Sequence, residues 1–394
     1  MLKVEEALER LMAAGKPVPG VVEIPLSDSL GRVLAQDMHA FIDVPPADNS
    51  AMDGYAFRHS DVAAPGDILA VSQRIAAGYL THPLQPGTAV RIFTGAEIPS
   101  GADTVVMQED CDATETHVTI RELPEKYANI RPRAQDIASG QKLLGRGQRL
   151  RAQDLGLLAS QGLASVKVFE PLKVALLSTG DELVEPGFPL EPGQIYNSNR
   201  YTLMSLLRGW GFEVLDLGIA PDQPDAIREL FRKAASQADV IVSSGGVSVG
   251  EEDHVKAIVS ELGSLDLWRI AIKPGKPFAF GNILGKPFLG LPGNPVSVFV
   301  TLLIIGRPYL FACQGMQAAP MPVCPGKALF GKPGSSREDY LRVKQTGKGL
   351  ELFTSQSSGV LLSTSQSDGL VRQPLGQDIL PGDVVDFIPY GLLA

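Results

Sequence analysis

The chain has 394 residues, enough for two to four domains at about 100–200 residues each. It carries 35 Lys and Arg against 44 Asp and Glu, a net charge of −9, and its 44% hydrophobic, 20% charged composition excludes disorder as the main state. The acidic sum argues against a bulk nucleic-acid binder, which needs a basic face, but leaves room for a small anion in a local cationic pocket.

Three cysteines, Cys111, Cys313 and Cys324, show no CxxC spacing, so neither a disulfide framework nor a zinc site is expected. The stretch Met1–Met12 is charged and amphipathic rather than a signal peptide. No run reaches about 18 apolar residues, so no membrane span is expected and the cytoplasm is the default location.

A helix opens the chain, with Val4, Leu8, Leu11 and Met12 on one face and Gly15 and Pro17 ending it. Val21–Ile24 and Val33–Leu34 read as extended. Residues 39–135 read as β-rich, with strands at Ile68–Val71, Ala89–Ile92, Thr104–Met107 and His117–Ile120 between Gly, Pro and Asp turns. Asp154 is placed as the N-cap of a helix carrying Leu155, Leu158 and Ala159, closed by Gly162.

From residue 169 strands and helices alternate. Val174–Leu177, Phe212–Leu217, Val240–Ser243 and Leu267–Ile272 read as strands. Tyr201–Leu207 (capped by Asn199), Pro224–Gln237, His254–Leu262 and Pro295–Phe311 read as helices. The alternation predicts a mostly parallel sheet with helices on both faces, with ligands outside the carboxyl ends of its strands. Residues 320–394 lose the helical period, and strands at Tyr340–Val343 and Val384–Phe387 point to a small C-terminal β domain.

The chemistry concentrates in this alternating segment. Ser178-Thr179-Gly180-Asp181-Glu182 follows a buried strand and sets two carboxylates beside a glycine turn. Ser243-Ser244-Gly245-Gly246-Val247-Ser248 follows the next and suits an anion-binding nest. Glu251, Glu252 and Asp253 come next, as a phosphate bound with Mg²⁺ would require. Arg269, Lys273 and Lys276 surround one turn. In a continuous strand Arg269 and Lys273 share a face, and three cations together repel unless an anion binds. Leu291-Pro292-Gly293-Asn294-Pro295-Val296-Ser297 feeds a helix N-terminus, whose free N–H groups favour anions. No Walker motif, dinucleotide fingerprint or HExxH is present. In the β-rich part, Asp48–Ala56 and Arg91–Ala96 form a second polar surface.

As an ordered set these motifs resemble the molybdopterin molybdenumtransferase family (MoeA type, related to the gephyrin E domain). Six segments carry the likeness: Asp48–Ala56, Arg91–Ala96, Ser178–Leu183, Ser243–Gly250, Ile272–Pro277 and Leu291–Ser297. The resemblance implies a multidomain α/β plus β fold. Its parts would be an elongated connecting domain (21–38 and 136–168), a β domain (39–135), an α/β molybdopterin-binding domain (1–20 and 169–320) and a C-terminal β domain (321–394).

It also implies a homodimer with an active cleft shared between subunits. The implied reaction inserts molybdate into adenylylated molybdopterin, with Mg²⁺-dependent release of AMP. A molybdopterin adenylyltransferase would act upstream.

Carried over by motif, Lys276, Ser297, Arg337 and Ser358 lie near the oxyanion, with Arg269 and Lys273 as further cations. Glu182 and Asp253 serve the metal, and Asp222 is another family acid. Asp53 and Thr94 act from the second subunit. Ser178, Thr179, Gly180, Ser244, Gly245, Gly246, Ser248, Pro292, Gly293 and Asn294 line the pterin phosphate. Two departures stand out. Ala134-Gln135-Asp136 replaces the usual Gly-Glu-Asp, and Thr364–Gly369 matches the C-terminal pattern only in part. A dimeric scaffold of the gephyrin type and a tungstate-inserting paralogue are the competing readings, and the intact Asp53, Glu182, Asp253 and Lys273 weigh against the scaffold.

Overall fold

The computed structural model describes residues 1–15, 20–221, 223–245, 254–317 and 320–393. Two compact units emerge. One holds Met1–Gln36, Arg146–Arg151 and Ser165–Ala394, and the other holds Asp37–Gly145 and Ala152–Ala164.

The larger unit is built on one mixed sheet. In chain order its elements are α1 (Val4–Ala14), β1 (Lys173–Thr179), α2 (Ser198–Gly209), β2 (Glu213–Ala220) and α3 (Pro224–Gln237). Then come β3 (Val240–Ser244), α4 (His254–Leu262), β4 (Gly263–Arg269), β5 (Pro277–Ile283) and β6 (Lys286–Leu291). The long helix α5 (Pro295–Cys313) follows. The strand order is β2-β1-β3-β6-β5-β4. β2, β1, β3 and β6 are parallel, and β5 and β4 close one side antiparallel.

Side-chain alternation explains the layers. Val174, Leu176, Val240, Val242, Leu289 and Leu291 face α1, α2 and α5. Ala175, Leu177, Ile241 and Phe288 face the other way, onto α3 and α4. Strands buried on both faces need such unbroken apolar runs. In α3, Pro224 starts the helix, and Ile227, Phe231 and Ala234 make the buried stripe.

The sequence expectations differ from the structure at three places. The α2 N-cap is Asn197, whose side chain accepts from Arg200 N at 3.3 Å, and Asn199 falls inside the first turn. Asp154 likewise lies in the first turn of Ala152–Ser160 rather than capping it. The expected strand Leu267–Ile272 ends at Arg269. Beyond it the chain bridges Leu2, and Ile272–Lys273 joins a different sheet. The expected helix Pro295–Phe311 is present as α5, 19 residues long and apolar enough by length and composition to cross a membrane, with 78% of its most apolar window buried inside the protein. Gly306, Arg307 and Pro308 interrupt its apolar run. Pro308 lacks a donor and would crowd the carbonyl of Ile304, and the helix widens to a π segment over Leu302–Gly306.

The C-terminal sheet joins Ile272–Lys273, Glu338–Thr346, Gly369–Gln373, Val384–Pro389 and Cys324–Lys327, with Gly349–Leu352 pairing Glu338–Thr346. Its first two residues come from the loop between β4 and β5.

The smaller unit contains a six-stranded sheet in the order Thr104–Met107, Gly54–Phe57, Thr88–Ile92, Ile68–Ile75, His117–Ile120 and Cys111–Ala113. The four strands expected in 39–135 are among these.

Phe231 is fully buried, with its ring 5.8 Å from that of Phe288. Phe231→Ala is expected to destabilise the larger unit by about 3–5 kcal/mol, from lost transfer energy plus a cavity. Denaturant unfolding followed by circular dichroism checks this.

Candidate functional site

The carboxyl ends of the parallel strands gather the predicted loops of the larger unit. Ser178 ends β1 and Ser244 ends β3. Both are buried, with their hydroxyl oxygens 3.0 Å apart. Thr179 Oγ1 and Ser243 Oγ are buried with no hydrogen-bond partner among the described residues. Gly245 adopts φ +87°, and a Cβ there would lie 2.5 Å from the Thr179 carbonyl oxygen, so only glycine lets these two strand ends approach. Its N–H donates to Leu291 O at 3.2 Å, tying in the end of β6.

Glu182 folds its carboxylate back over Gly180. Asp222, Gly246, Ser248 and Asp253 lie outside the described residues, as do Glu251 and Glu252. Among the described residues no three acids, histidines or cysteines gather.

Asn199 anchors the next loop, its Nδ2 donating to Gly293 O at 2.7 Å. Pro292 and Gly293 lead to Asn294, the residue before α5. Two contacts join this start to the C-terminal segment. Asn294 Nδ2 donates to Ser358 Oγ at 3.2 Å, and Val296 N donates to Ser358 O at 3.0 Å. The helix start is therefore not fully free, because Ser358 already takes the N–H of Val296.

Ser297, buried on the first turn, sits against the cationic loop. A Cβ on Gly275 would lie 3.5 Å from Ser297 O and 2.2 Å from Thr301 Oγ1. Arg337 Nη1 donates to Ile272 O at 3.4 Å. Lys273, Lys276, Ser297, Arg337 and Ser358 thus belong to one set of mutually contacting segments. Arg269 departs from expectation. It ends β4 opposite Pro277, while Lys273 pairs Asp339 in the other sheet, so the two do not share a strand face. Nor do three unpaired cations crowd the turn, since Lys273 Nζ lies 3.3 Å from Asp339 Oδ2.

In the smaller unit, Asp53 and Thr94 bond to each other. Thr94 N and Oγ1 donate to Asp53 Oδ1 at 2.8 and 2.7 Å. The backbone N–H of Thr94, then its hydroxyl, hold the Asp53 carboxyl below the usual carboxylate range. Arg91 stacks beside this pair, 4.7 Å from the centre of the Phe93 ring and 5.1 Å from that of Tyr55.

Sequence reasoning missed two supports. Arg342 is fully buried, donating Nη2 to Ser357 O at 3.2 Å, Nε to Ser363 Oγ at 3.3 Å and Nη1 to Tyr340 O at 3.4 Å. It holds the loop that carries Ser358. Arg200 bridges Asp216 of β2 at 2.6 Å and Glu185 at 2.6 Å, fixing α2 and hence Asn199. Arg342 lies five residues after Arg337 in the strand Glu338–Thr346, but nothing local marks its burial.

Comparisons with known proteins match this layout. The MoeA N-terminal region (domain I and II) matches residues 2–162, a probable molybdopterin binding domain matches 175–312, and the MoeA C-terminal region (domain IV) matches 331–390. A molybdopterin molybdenumtransferase of Haemophilus influenzae is 43% identical, covering 82% of this chain and 80% of its own length. The chain belongs to the molybdopterin molybdenumtransferase family. A Nostoc molybdopterin molybdenumtransferase is 39% identical over 89% of this chain and 84% of its own. A molybdopterin biosynthesis MoeA protein from Pyrococcus horikoshii superposes with a TM-score of 0.83 at 33% identity, covering 99% of each chain. The resemblance read from six motifs therefore extends over the whole chain.

Thr94→Ala removes one of the donors to Asp53, so the Asp53 carboxyl is expected to titrate higher, closer to an ordinary aspartate. The depressed value means that its stabilising contribution is present above the ordinary aspartate range and is lost as pH falls through the folded value. Carbon-13 NMR titration of the carboxyl in both proteins checks the direction.

Proposed function

We propose that the chain inserts molybdate into adenylylated molybdopterin, with release of AMP. The observation that carries this reading is the meeting of two anion-binding sets on one segment, Leu291–Ser297. On one side are the strand ends at Ser178, Thr179, Ser244 and Gly245. On the other are Lys273, Lys276, Ser297, Arg337 and Ser358. A phosphorylated pterin needs the first kind of surface and a tetrahedral oxyanion needs the second.

The residues divide the work as follows. Ser178, Ser244 and the Thr179 and Ser243 hydroxyls, which have no partner among the described residues, bond phosphate oxygens. Lys276, Arg337, Ser297 and Ser358 bind molybdate beside the pterin sulfurs and hold it in reach, which removes much of the entropic cost of the encounter. Water cleaves the phosphoanhydride, giving AMP and the pterin phosphate, and the two dithiolene sulfurs replace oxygen ligands of molybdate, which leave as water with the thiol protons.

Mg²⁺ keeps phosphate and water oxygens in its shell and asks for only one or two carboxylates. Glu182 suits such a position, with Asp253 as the proposed second, and the ion would supply charge neutralisation at the phosphates. The adenylylated substrate has to come from an adenylyltransferase, and both proteins would work in the cytoplasm.

The functional unit is a homodimer, with Asp53 and Thr94 of a second copy completing each cleft. Supporting this is the Asp53–Thr94 pair itself, an ordered carboxylate on a part-exposed surface beside Arg91.

Two measurements test the reading. With adenylylated molybdopterin, molybdate and Mg²⁺, the unmodified chain releases AMP, and Lys276→Ala slows release by about 10²–10³-fold, the usual effect of losing one preorganised charge-stabilising group. Absence of AMP release from the unmodified chain sinks the reading. Separately, mixing the impaired Asp53→Asn and Lys276→Ala proteins restores part of the activity, because mixed dimers hold one intact cleft. Failure of the mixture to recover, with subunit exchange verified, rules out a shared site.

A further inference from the structure

Lys273 is usually the kind of cation an anion site leaves open, but here it has a built-in partner. The parallel register sets Ile272 beside Glu338 and Lys273 beside Asp339. Neighbours in register point to the same face of a sheet. Lys273 Nζ accordingly lies 3.3 Å from Asp339 Oδ2.

The two partners differ in access. The Asp339 side chain is 2% exposed and that of Lys273 is 36% exposed. The carboxylate is fixed by its place inside Glu338–Thr346, which pairs on both edges, with Ile272–Lys273 and with Gly369–Gln373. The ammonium ends a flexible, part-exposed stem. Asp339 Oδ2 has no aligned hydrogen-bond donor among the described residues, so the pair is held by charge rather than by a directed bond. Arg337, two residues earlier, contacts the same short strand through Ile272 O. An oxyanion arriving at Arg337 and Lys276 therefore meets a dry negative charge and a cation already engaged.

We propose that Asp339 is the resident counter-ion of Lys273, which an incoming oxyanion must displace, so that Asp339 weakens oxyanion binding and keeps it reversible. The proposal rests on the oxyanion reading of the Lys273–Lys276 loop and adds a control element to it. Asp339 is a positioning residue acting through Lys273. Lys273 turns outward to the oxyanion when one is bound and returns to Asp339 when it leaves.

Calorimetric titration of the full chain with molybdate tests it. Asp339→Asn keeps the shape and removes the charge. It is expected to bind molybdate on the order of tenfold tighter, with a steeper loss of affinity on adding salt. The gain shrinks when Lys273→Met is present as well, because the freed ammonium is then missing. Lys273→Arg keeps the charge but grips a carboxylate through two N–H groups, so it binds molybdate more weakly.

Unchanged or weaker binding in Asp339→Asn, with an unaltered melting curve, overturns the proposal. Should Asp339→Asn not fold, tighter or equal binding in Lys273→Arg overturns it instead. If the unmodified chain binds no molybdate at any salt concentration, the oxyanion site itself is refuted. If it binds and does not respond to these variants, only the role of Asp339 is.

Discussion

A strand of two residues, Ile272–Lys273, is the constraint on which the rest of the site depends. It leaves the α/β sheet after β4 and pairs with Glu338–Asp339 in the C-terminal sheet. That pairing, together with the bond from Ile270 N to Lys276 O at 3.0 Å, orders the turn through Gly275 and Lys276 beside α5. With it, Gly275 packs against Thr301 and Ser297, and Arg337 reaches Ile272 O. One short backbone register thus converts three distant stretches of sequence into one cationic surface. For the proposed oxyanion chemistry such a junction has to be rigid, because a charge displaced by about 1 Å at a reacting centre can lose much of its effect.

Rigidity of the facing loop comes from a buried cation. The Arg342 guanidinium is fully desolvated, and burial pulls its pKa below the ordinary arginine value. Three acceptors, the Tyr340 and Ser357 carbonyls and Ser363 Oγ, offset that loss. An arginine spent this way cannot itself contact substrate. It sets the Ser357–Ser358–Gly359 loop against Asn294 and Val296. The start of α5 is thereby shared, with one N–H used for structure and the polar side chains of Ser297 and Ser358 left beside the cationic loop. This division answers the conflict between a stable helix start, which wants its donors satisfied, and a binding site, which wants them free.

Much of this was legible in the sequence, for physical reasons that differ from element to element. Buried parallel strands such as Val174–Leu177 announce themselves as apolar runs, and the glycine and serine loops at their ends follow from the need for close approach. The stripe of α3 is equally plain. What the sequence hid was pairing at long range. Nothing in Arg269–Lys273 says that the strand stops at Arg269, since the reason lies in Leu2 and in Glu338, hundreds of residues apart. Asn197 and Asn199 offer the same capping chemistry two residues apart, and only the fold decides that one caps α2 while the other holds Gly293. Arg342 and Asp339 look like ordinary charges on an alternating strand, and their burial is set by partners contributed from elsewhere.

The net charge of −9 acquires a different meaning once these partners are placed. Acids are not merely a solvating coat, for Asp339 and Asp216 neutralise specific cations inside the larger unit. The hydroxyls carry the complementary lesson. Thr179 Oγ1 and Ser243 Oγ are buried at the ends of adjacent strands without partners among the described residues, and each such group costs about 1–3 kcal/mol of stability. A fold selected only for stability would replace them with Val or Ala, which fit the same space. At the carboxyl ends of parallel strands, where such sheets place their ligands, the proposed phosphate would return the bonds these hydroxyls lack. On that proposed reading, the affinity of this end of the sheet for an anion would be stored as instability of the empty protein.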